Sequence, residues 1–390
     1  MSEPLHIPLE LVTPDFDDHL TDLIIELDHQ RKSTPSGTTP TYIFDQIKNI
    51  FHIMESLGSA RIEGNRTTVA EYIDYKMEGK SPDTTLQEIR NIESALIFLE
   101  KHTSAGGMQL RIDERLVREL HEMVTHDLPV EGEGDASPGE YRRGEVSIAH
   151  STHRPPQAAD VPALMEELLQ FIQHEDPPKY DLIKISLAHH RFAWIHPFSN
   201  GNGRTVRLLT FALLLNAGFR VGGEHPSSRI LNPTAVFCSD RNRYYDQLSD
   251  ADTGTREGLL SWCRYVLEGI KTELDKIERL LDYTYLRSKI IQPAIIDLHK
   301  KNGISDHERG VLLTAAEKGP IQNRDIRPVT GGLSQVQASR ILQGLRERGL
   351  LQHSPESKRS YVIGFVHTSL MRELLHKLDE LGFLPLKGEV

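Results

Sequence analysis

The chain has 390 residues, 38% hydrophobic and 26% charged, which suits a folded chain of roughly two to three domains with a sizeable core. Its formal net charge of −11 excludes a protein that coats nucleic acid along its whole length. Two cysteines, Cys238 and Cys263, cannot staple a chain this size.

These features, with no basic and apolar leader after Met1, give the expectation of a cytoplasmic protein without a signal peptide. The longest apolar run, near Leu208 to Leu215, is far short of the ~20 residues a membrane helix needs, so no membrane partner is expected.

Leu20, Leu23, Ile24 and Leu27 recur at helical spacing, predicting a helix over 16–31. Lys32 to Thr41 is a Ser/Thr/Pro/Gly linker, and Tyr42 to Leu57 is again helical. Gly64 has the character of a residue just past a helix end. Glu63 then lies at the negative end of a helix dipole, an unfavourable place for a carboxylate unless it reaches a cation. Residues 67–101 continue as helices, broken near Gly79 to Asp83, and Asp113 to Thr125 forms the next, with His121 read as structural. After the Gly/Pro/acidic loop Glu131 to Gly139, the segment Glu140 to Ala149 alternates polar and apolar residues towards its end, a strand signal. A second short strand is expected over Ser151 to Arg154. Helices follow at Val161 to His174 and Leu182 to Ile195. His189 and His190 on the latter lack the spacing of a zinc site and read as packing histidines.

The next stretch is His196-Pro197-Phe198-Ser199-Asn200-Gly201-Asn202-Gly203-Arg204-Thr205-Val206-Arg207. Pro197 biases His196 away from the helical region, so the preceding helix should end there. Gly201 and Gly203 let the backbone approach a ligand or take φ > 0. The free N–H groups that open the following apolar helix form an anion site. Arg204 and Arg207, three apart, share a face of its first turn and suit phosphate oxygens. His196 beside them is a candidate general base. The expected site is a nucleotide-phosphate cradle with a base next to it.

This stretch resembles the Fic family signature H-P-F-x-[D/E]-G-N-G-R-x-x-R, departing from it only at Asn200, where the family has an acidic residue. The resemblance implies a mainly α fold: a Fic-type helical domain with one β-hairpin flap. It implies His196 as the catalytic base. It places ATP against Gly201, Asn202, Gly203, Arg204, Thr205, Val206 and Arg207, with Arg204 towards the β-phosphate and Arg207 towards the γ. Phe198 is expected to anchor the loop in the core. Mg²⁺ is implied with the ATP, and Asn200 would be a weak, uncharged ligand for it. Ser59-Ala60-Arg61-Ile62-Glu63-Gly64 resembles the family's inhibitory motif, carried by Ser59, Glu63 and Gly64, in which the glutamate pairs with Arg207 and blocks the γ-phosphate position. The strand segment corresponds to the flap, with Val146, Ser147 and Ile148 pairing with an extended target; an ordinary surface hairpin remains the alternative. The run Arg241 to Leu248 resembles the segment whose tyrosines line the nucleotide pocket, so Tyr244 and Tyr245 are candidates, with core packing an equal competitor. Leu259 to Leu281 closes the domain as a long helix.

From Ser305 to Ile363 nine Lys and Arg face six Asp and Glu, a balance of +3 within an acidic chain. Helix (His307 to Glu317), turn (Ile321, Ile326), helix from the N-cap Ser334 to Arg348, and a polar loop before Tyr361 to Ile363 resemble a winged helix. Gln335, Gln337 and Arg340 would be exposed on its recognition helix, with Ser357 to Ser360 as the wing tip. DNA and protein docking both stay open. A last helix is expected over Ser369 to Leu381. The organisation expected is 1–41 helix and linker, 42–290 Fic domain, and 291–390 winged helix.

The function implied is transfer of AMP from ATP to a Ser, Thr or Tyr hydroxyl of a target protein, held off by Glu63 on Arg207. The signature reads phosphates, so UMP, GMP or phosphocholine transfer stays open. The alternative is a DNA-binding regulator whose nucleotide-sensing domain turns over weakly. Target and oligomeric state, monomer or homodimer, are not set by these residues.

Overall fold

Helical apolar spacing shapes nearly all of the described chain, which in this computed structural model comprises residues 8–32, 37–78, 81–104, 109–148, 153–219, 235–331 and 333–384. In chain order the α-helices are α1 (His19–Lys32), α2 (Thr41–Ile62), α3 (Val69–Glu78), α4 (Thr84–Ser104), α5 (Glu114–Thr125), α6 (Val161–Gln173), α7 (Asp181–Ile195), α8 (Asn202–Asn216), α9 (Val236–Ser239), α10 (Arg241–Ala251), α11 (Arg256–Leu281), α12 (Tyr283–Leu286), α13 (Gln292–Lys300), α14 (Asp306–Lys318), α15 (Asn323–Ile326), α16 (Gln335–Glu347) and α17 (Thr368–Glu380). The chain divides into two compact units, one from residues 1–35, 52–67 and 81–275, the other from 36–51, 68–80 and 276–390.

The first unit is built around α7 and α8. Both are buried almost throughout, α7 including its His189, His190 and Arg191 and α8 its Arg204 and Arg207. α4, α5 and α6 pack beside them. α5 starts where the Asp113 side chain accepts from the Leu116 N–H (3.1 Å), and it turns Leu116, Val117, Leu120 and Val124 inward. Trp262 of α11 is fully buried and donates from Nε1 to the Ser186 carbonyl of α7 (2.6 Å). An indole in a core needs such a partner, and this bond fixes its depth.

The hairpin expected in this unit is not formed by the described residues. Residues 140–148 pair with no strand, nor do His153 and Arg154; Ala149, Ser151 and Thr152 lie outside the described residues. The reason lies at Arg142, whose backbone N–H bonds the Pro197 carbonyl (2.9 Å) and whose side chain reaches further carbonyls. The start of the segment is thus held by a side chain against a helix end.

The second unit holds the sheet found among the described residues: β1 (Leu351–Ser354) antiparallel to β2 (Ser357–Ile363), with Leu351 opposite Ile363 and a bulge after His353. Ile321 bridges to Tyr361 at the outer edge of β2. α14 and α16 each open on a capping box, Ser305 with Glu308 and Ser334 with Gln337, so Ser334 is the N-cap expected of it. Ala338, Leu342 and Leu345 of α16 are buried, while Gln335, Val336, Gln337 and Arg340 are exposed. No helix among the described residues is long and apolar enough to cross a membrane.

Candidate functional site

The site begins where α7 must stop. His196 caps α7 with φ 50° and ψ 60°, a left-handed conformation in place of the helical one that Pro197 disfavours. For a residue with a Cβ this costs about 1–3 kcal/mol, so surrounding contacts must hold it. The Asn202 side chain closes the loop, accepting from the Phe198 N–H and donating to the Phe198 carbonyl, both at 2.9 Å. Phe198 is fully buried and stacks on His121 at 3.7 Å, the anchor expected of it. His121 Nδ1 accepts from the Gly139 N–H (2.8 Å), so its Nε2 donates to the Asn200 carbonyl (3.1 Å). Burial lowers the His121 pKa to about 4, which keeps this structural ring neutral. Gly201 takes φ 70° and opens α8; a Cβ there would crowd Thr125 and His121.

A cavity of about 320 Å³ opens over this loop. Its walls include His196, Asn202, Gly203, Val206 and Arg207 from the signature, Glu63 from the end of α2, Tyr244 and Tyr245 from α10, and Ile148. Glu63 sits where its helix has ended and Gly64 has turned to φ 110°. Its Oε1 accepts from Arg207 Nη2 at 2.8 Å. Arg207 also donates from Nε to Ser59 Oγ (2.7 Å) and from Nη2 to the Ser59 carbonyl (2.9 Å). A Cβ on Gly203 would collide with Glu63 Oε1, so the absence of a side chain there makes room for the carboxylate at the start of α8. Burial pushes the Glu63 pKa up, but Arg207 and Arg204 outweigh it and hold the group below its usual range. The Arg207 pKa is raised: burial opposes the charge, and Glu63 more than offsets it.

His196 lies within the same cavity. Its Nδ1 is 3.4 Å from the Ala193 carbonyl. A donor at Nδ1 leaves the Nε2 lone pair to accept a proton. Burial lowers its pKa to about 4, partly countered by Ala193 and Glu63, so the ring is neutral at pH 7, the form a base requires.

Other expected site residues lie elsewhere. Arg204, expected beside the β-phosphate, is fully buried and is not part of the cavity wall. Its Nη2 donates to the Glu133 carbonyl (2.8 Å) and carboxylate (3.0 Å), and its Nη1 stands 3.2 Å from Glu88. Two acidic neighbours have claimed it. Thr205 is buried and returns its hydroxyl to the Gly201 carbonyl (2.9 Å). Asn200 donates from Nδ2 to the Gly132 and Gly134 carbonyls (2.8 and 3.2 Å), while its Oδ1 accepts from the Gly201 N–H (2.7 Å). Its amide is engaged in fastening the 131–139 loop and lies off the cavity wall, so it does not fit a metal ligand. Among the described residues no group of three His, Cys, Asp or Glu could hold a metal ion. Val146 and Ser147 lie outside the wall that Ile148 joins.

His189 bonds Thr210 (2.7 Å) and the Tyr244 hydroxyl (2.9 Å) and is buried, while His190 bonds Asp252 at 2.9 Å. The wall also contains residues not singled out from the sequence: Trp194, His153, Asp246, Ser249 and Asp252. A signal existed for some of them. Tyr245, Ser249 and Asp252 follow at helical spacing, so a tyrosine facing the cavity brings the other two with it.

A glycine-opened helix N-terminus, with a neutral histidine and an arginine paired to a carboxylate beside it, is an arrangement that suits an anion such as a phosphate group. Residues 111–214 match the Fic/DOC family model. Relatives include a protein adenylyltransferase Fic from Nematostella vectensis, 28% identical over 78% of this chain and 62% of its own. One of the same name from Culex quinquefasciatus is 30% identical over 67% of this chain and 47% of its own. The chain thus spans about half to three-fifths of the length of these relatives. Among solved structures, a Fic family protein from Desulfovibrio desulfuricans aligns with a TM-score of 0.51 at 19% identity, covering 92% of this chain and 98% of that one. A Fic domain containing signaling protein from Bacteroides thetaiotaomicron also gives 0.51 at 19% identity, over 66% of this chain and 96% of that one. These likenesses carry the mainly helical fold.

Proposed function

We propose that this chain is a protein adenylyltransferase, moving AMP from ATP to a Ser, Thr or Tyr hydroxyl of another protein, and that Glu63 holds it in check. One observation carries the reading: Glu63 bonds Arg207 at 2.8 Å inside the cavity that also contains His196. The names of the relatives support it. In the reaction the target hydroxyl oxygen bonds the α-phosphorus as His196 takes its proton. The bond from that phosphorus to the bridging oxygen breaks, and pyrophosphate leaves with the electron pair. The N–H groups at the start of α8 and the Arg207 guanidinium take up the developing charge. Tyr244 and Tyr245 offer aromatic surface to the nucleoside. Glu63, lying on Arg207, stands where the terminal phosphate would go. Any Mg²⁺ would belong to the nucleotide, and no step here is assigned to it.

The test is label transfer from α-labelled ATP in a lysate. Glu63→Gly should raise it and His196→Ala should abolish it; unchanged labelling in both variants would overturn the reading. Location in the cytoplasm belongs to the same proposal.

For residues 291–390 we keep the winged-helix reading, supported by the order α14, α15, α16, β1, β2 and by the exposed Gln335, Gln337 and Arg340. A gel shift on random DNA, with Arg340→Ala as control, separates a DNA reader from a protein-docking module.

A further inference from the structure

Arg142 is buried, with its side chain fully covered, yet its donors go to main-chain oxygens. Nε donates to the His196 carbonyl (2.8 Å), Nη2 to those of Pro156 (2.5 Å) and Ile195 (3.3 Å), and Nη1 to that of Gly144 (3.2 Å). Its backbone N–H adds the Pro197 carbonyl at 2.9 Å. The Glu145 carboxylate stands off at 3.9 Å and is largely exposed. A guanidinium taken out of water needs compensation, and here a helix C-terminus supplies it: carbonyls left over by α7, at the negative end of the helix dipole. Three consecutive carbonyls, of Ile195, His196 and Pro197, are thereby fixed on either side of the His196 ψ torsion. That residue is the one held at φ 50° and ψ 60°. A neutral polar side chain could not fill this role, because no single neutral side chain forks onto so many acceptors.

We propose that Arg142 is a positioning residue that locks His196 in its left-handed conformation and so aims the imidazole into the cavity. The inference rests on the proposed role of His196 as base. Arg142 does not itself line the cavity and meets it only through the His196 backbone, so nucleotide binding should be nearly indifferent to it and turnover should not. The charged and titratable groups that bear on the His196 ring are Glu63 at the end of α2, Arg142 itself, and His153. Arg142 acts on the ring to lower its pKa, so neutralising position 142 should move the titration upward.

The experiment places Arg142→Gln and Arg142→Lys in the full chain carrying Glu63→Gly. It follows AMP transfer against ATP concentration and titrates the imidazoles by NMR, with His196→Ala assigning the signal. Expected are a kcat lower by about 100-fold in Arg142→Gln, as for a misaimed reacting group, and a KM for ATP within about two-fold. Arg142→Lys, which keeps the charge and part of the bonding, should recover about a tenth of the rate and tests the proposal even if the glutamine variant unfolds. The His196 titration should rise in Arg142→Gln. Unchanged kcat in both variants, or a His196 titration that does not move, overturns the inference. If Glu63→Gly itself transfers nothing, the proposed function fails, and the NMR arm still decides whether Arg142 governs His196.

Discussion

Arg207 and Glu63, 144 positions apart in sequence, share a 2.8 Å hydrogen bond at the start of α8. The guanidinium is buried and the carboxylate half-buried, so each neutralises the other where water cannot. On the proposed reading, the terminal phosphate of ATP would displace the carboxylate from Arg207 Nη2.

Removing the carboxylate therefore has two opposed consequences. In Glu63→Gly an uncompensated buried charge remains, which costs on the order of 3–5 kcal/mol. The melting temperature should fall without nucleotide, and ATP should restore it by binding the freed arginine. AMP transfer should rise by roughly 10- to 100-fold, as the competent state ceases to be the minor one. Calorimetry with and without ATP, beside the labelling assay, checks both.

Ser59 contributes to the same lock through its hydroxyl on Arg207 Nε. Ser59→Ala should cost about 1.5–3 kcal/mol of stability, the range for a hydrogen bond to a charged group. Labelling should rise, but less than in Glu63→Gly. Denaturant melts and basal labelling of the two variants side by side settle the order.

Acid should weaken the fold through two histidines. His196 and His121 are held neutral with pKa values near 4 by burial, below their ordinary 6.5. In the unfolded chain they take protons below about pH 6.5, whereas the folded chain does so only near 4. Their contribution to stability is full above pH 6.5 and declines as pH falls across that window. Melting curves from pH 7.5 to 4.5 should show a shallower decline in His196→Ala than in the parent. In the same range transfer should retain its rate until pH approaches the His196 value.

Asn200→Asp should damage the loop. The substitution removes the Nδ2 bonds to Gly132 and Gly134 and sets a carboxylate against their carbonyls. It also approaches Asp135, whose carboxylate already accepts from the Asn200 N–H at 3.1 Å. A loss of about 1–3 kcal/mol is expected, measured by denaturant unfolding. Equal stability of the two forms would return Asn200 to candidacy as a metal ligand.

The turn at 196–203 was legible in the sequence because its causes are local. Pro197 acts on its neighbour, and Gly201 shows the φ > 0 that a glycine permits. The Glu63–Arg207 pair was legible only through family resemblance, since spacing carries no information across 144 residues. Arg204 escaped for a tertiary reason. Three residues from Arg207 it shares a helix face in isolation, but in a helix buried all round that face meets α4 and the 131–139 loop before it meets solvent. Arg142 escaped because it lay unremarked in a segment read as a strand, and nothing nearby announces that its acceptors lie at the end of α7, 54 residues on.

The claim of Glu88 and Glu133 on Arg204 reaches further than the loop. Asn65, two residues beyond Glu63, donates to the other oxygen of Glu88 at 2.7 Å. A screen scoring only lost labelling would file Arg204 and Glu88 among the substrate contacts. Their variants should instead resemble misassembled protein, with soluble yield and nucleotide affinity declining in step, and a second substitution that restores charge balance among Arg204, Glu88 and Glu133 should rescue both together.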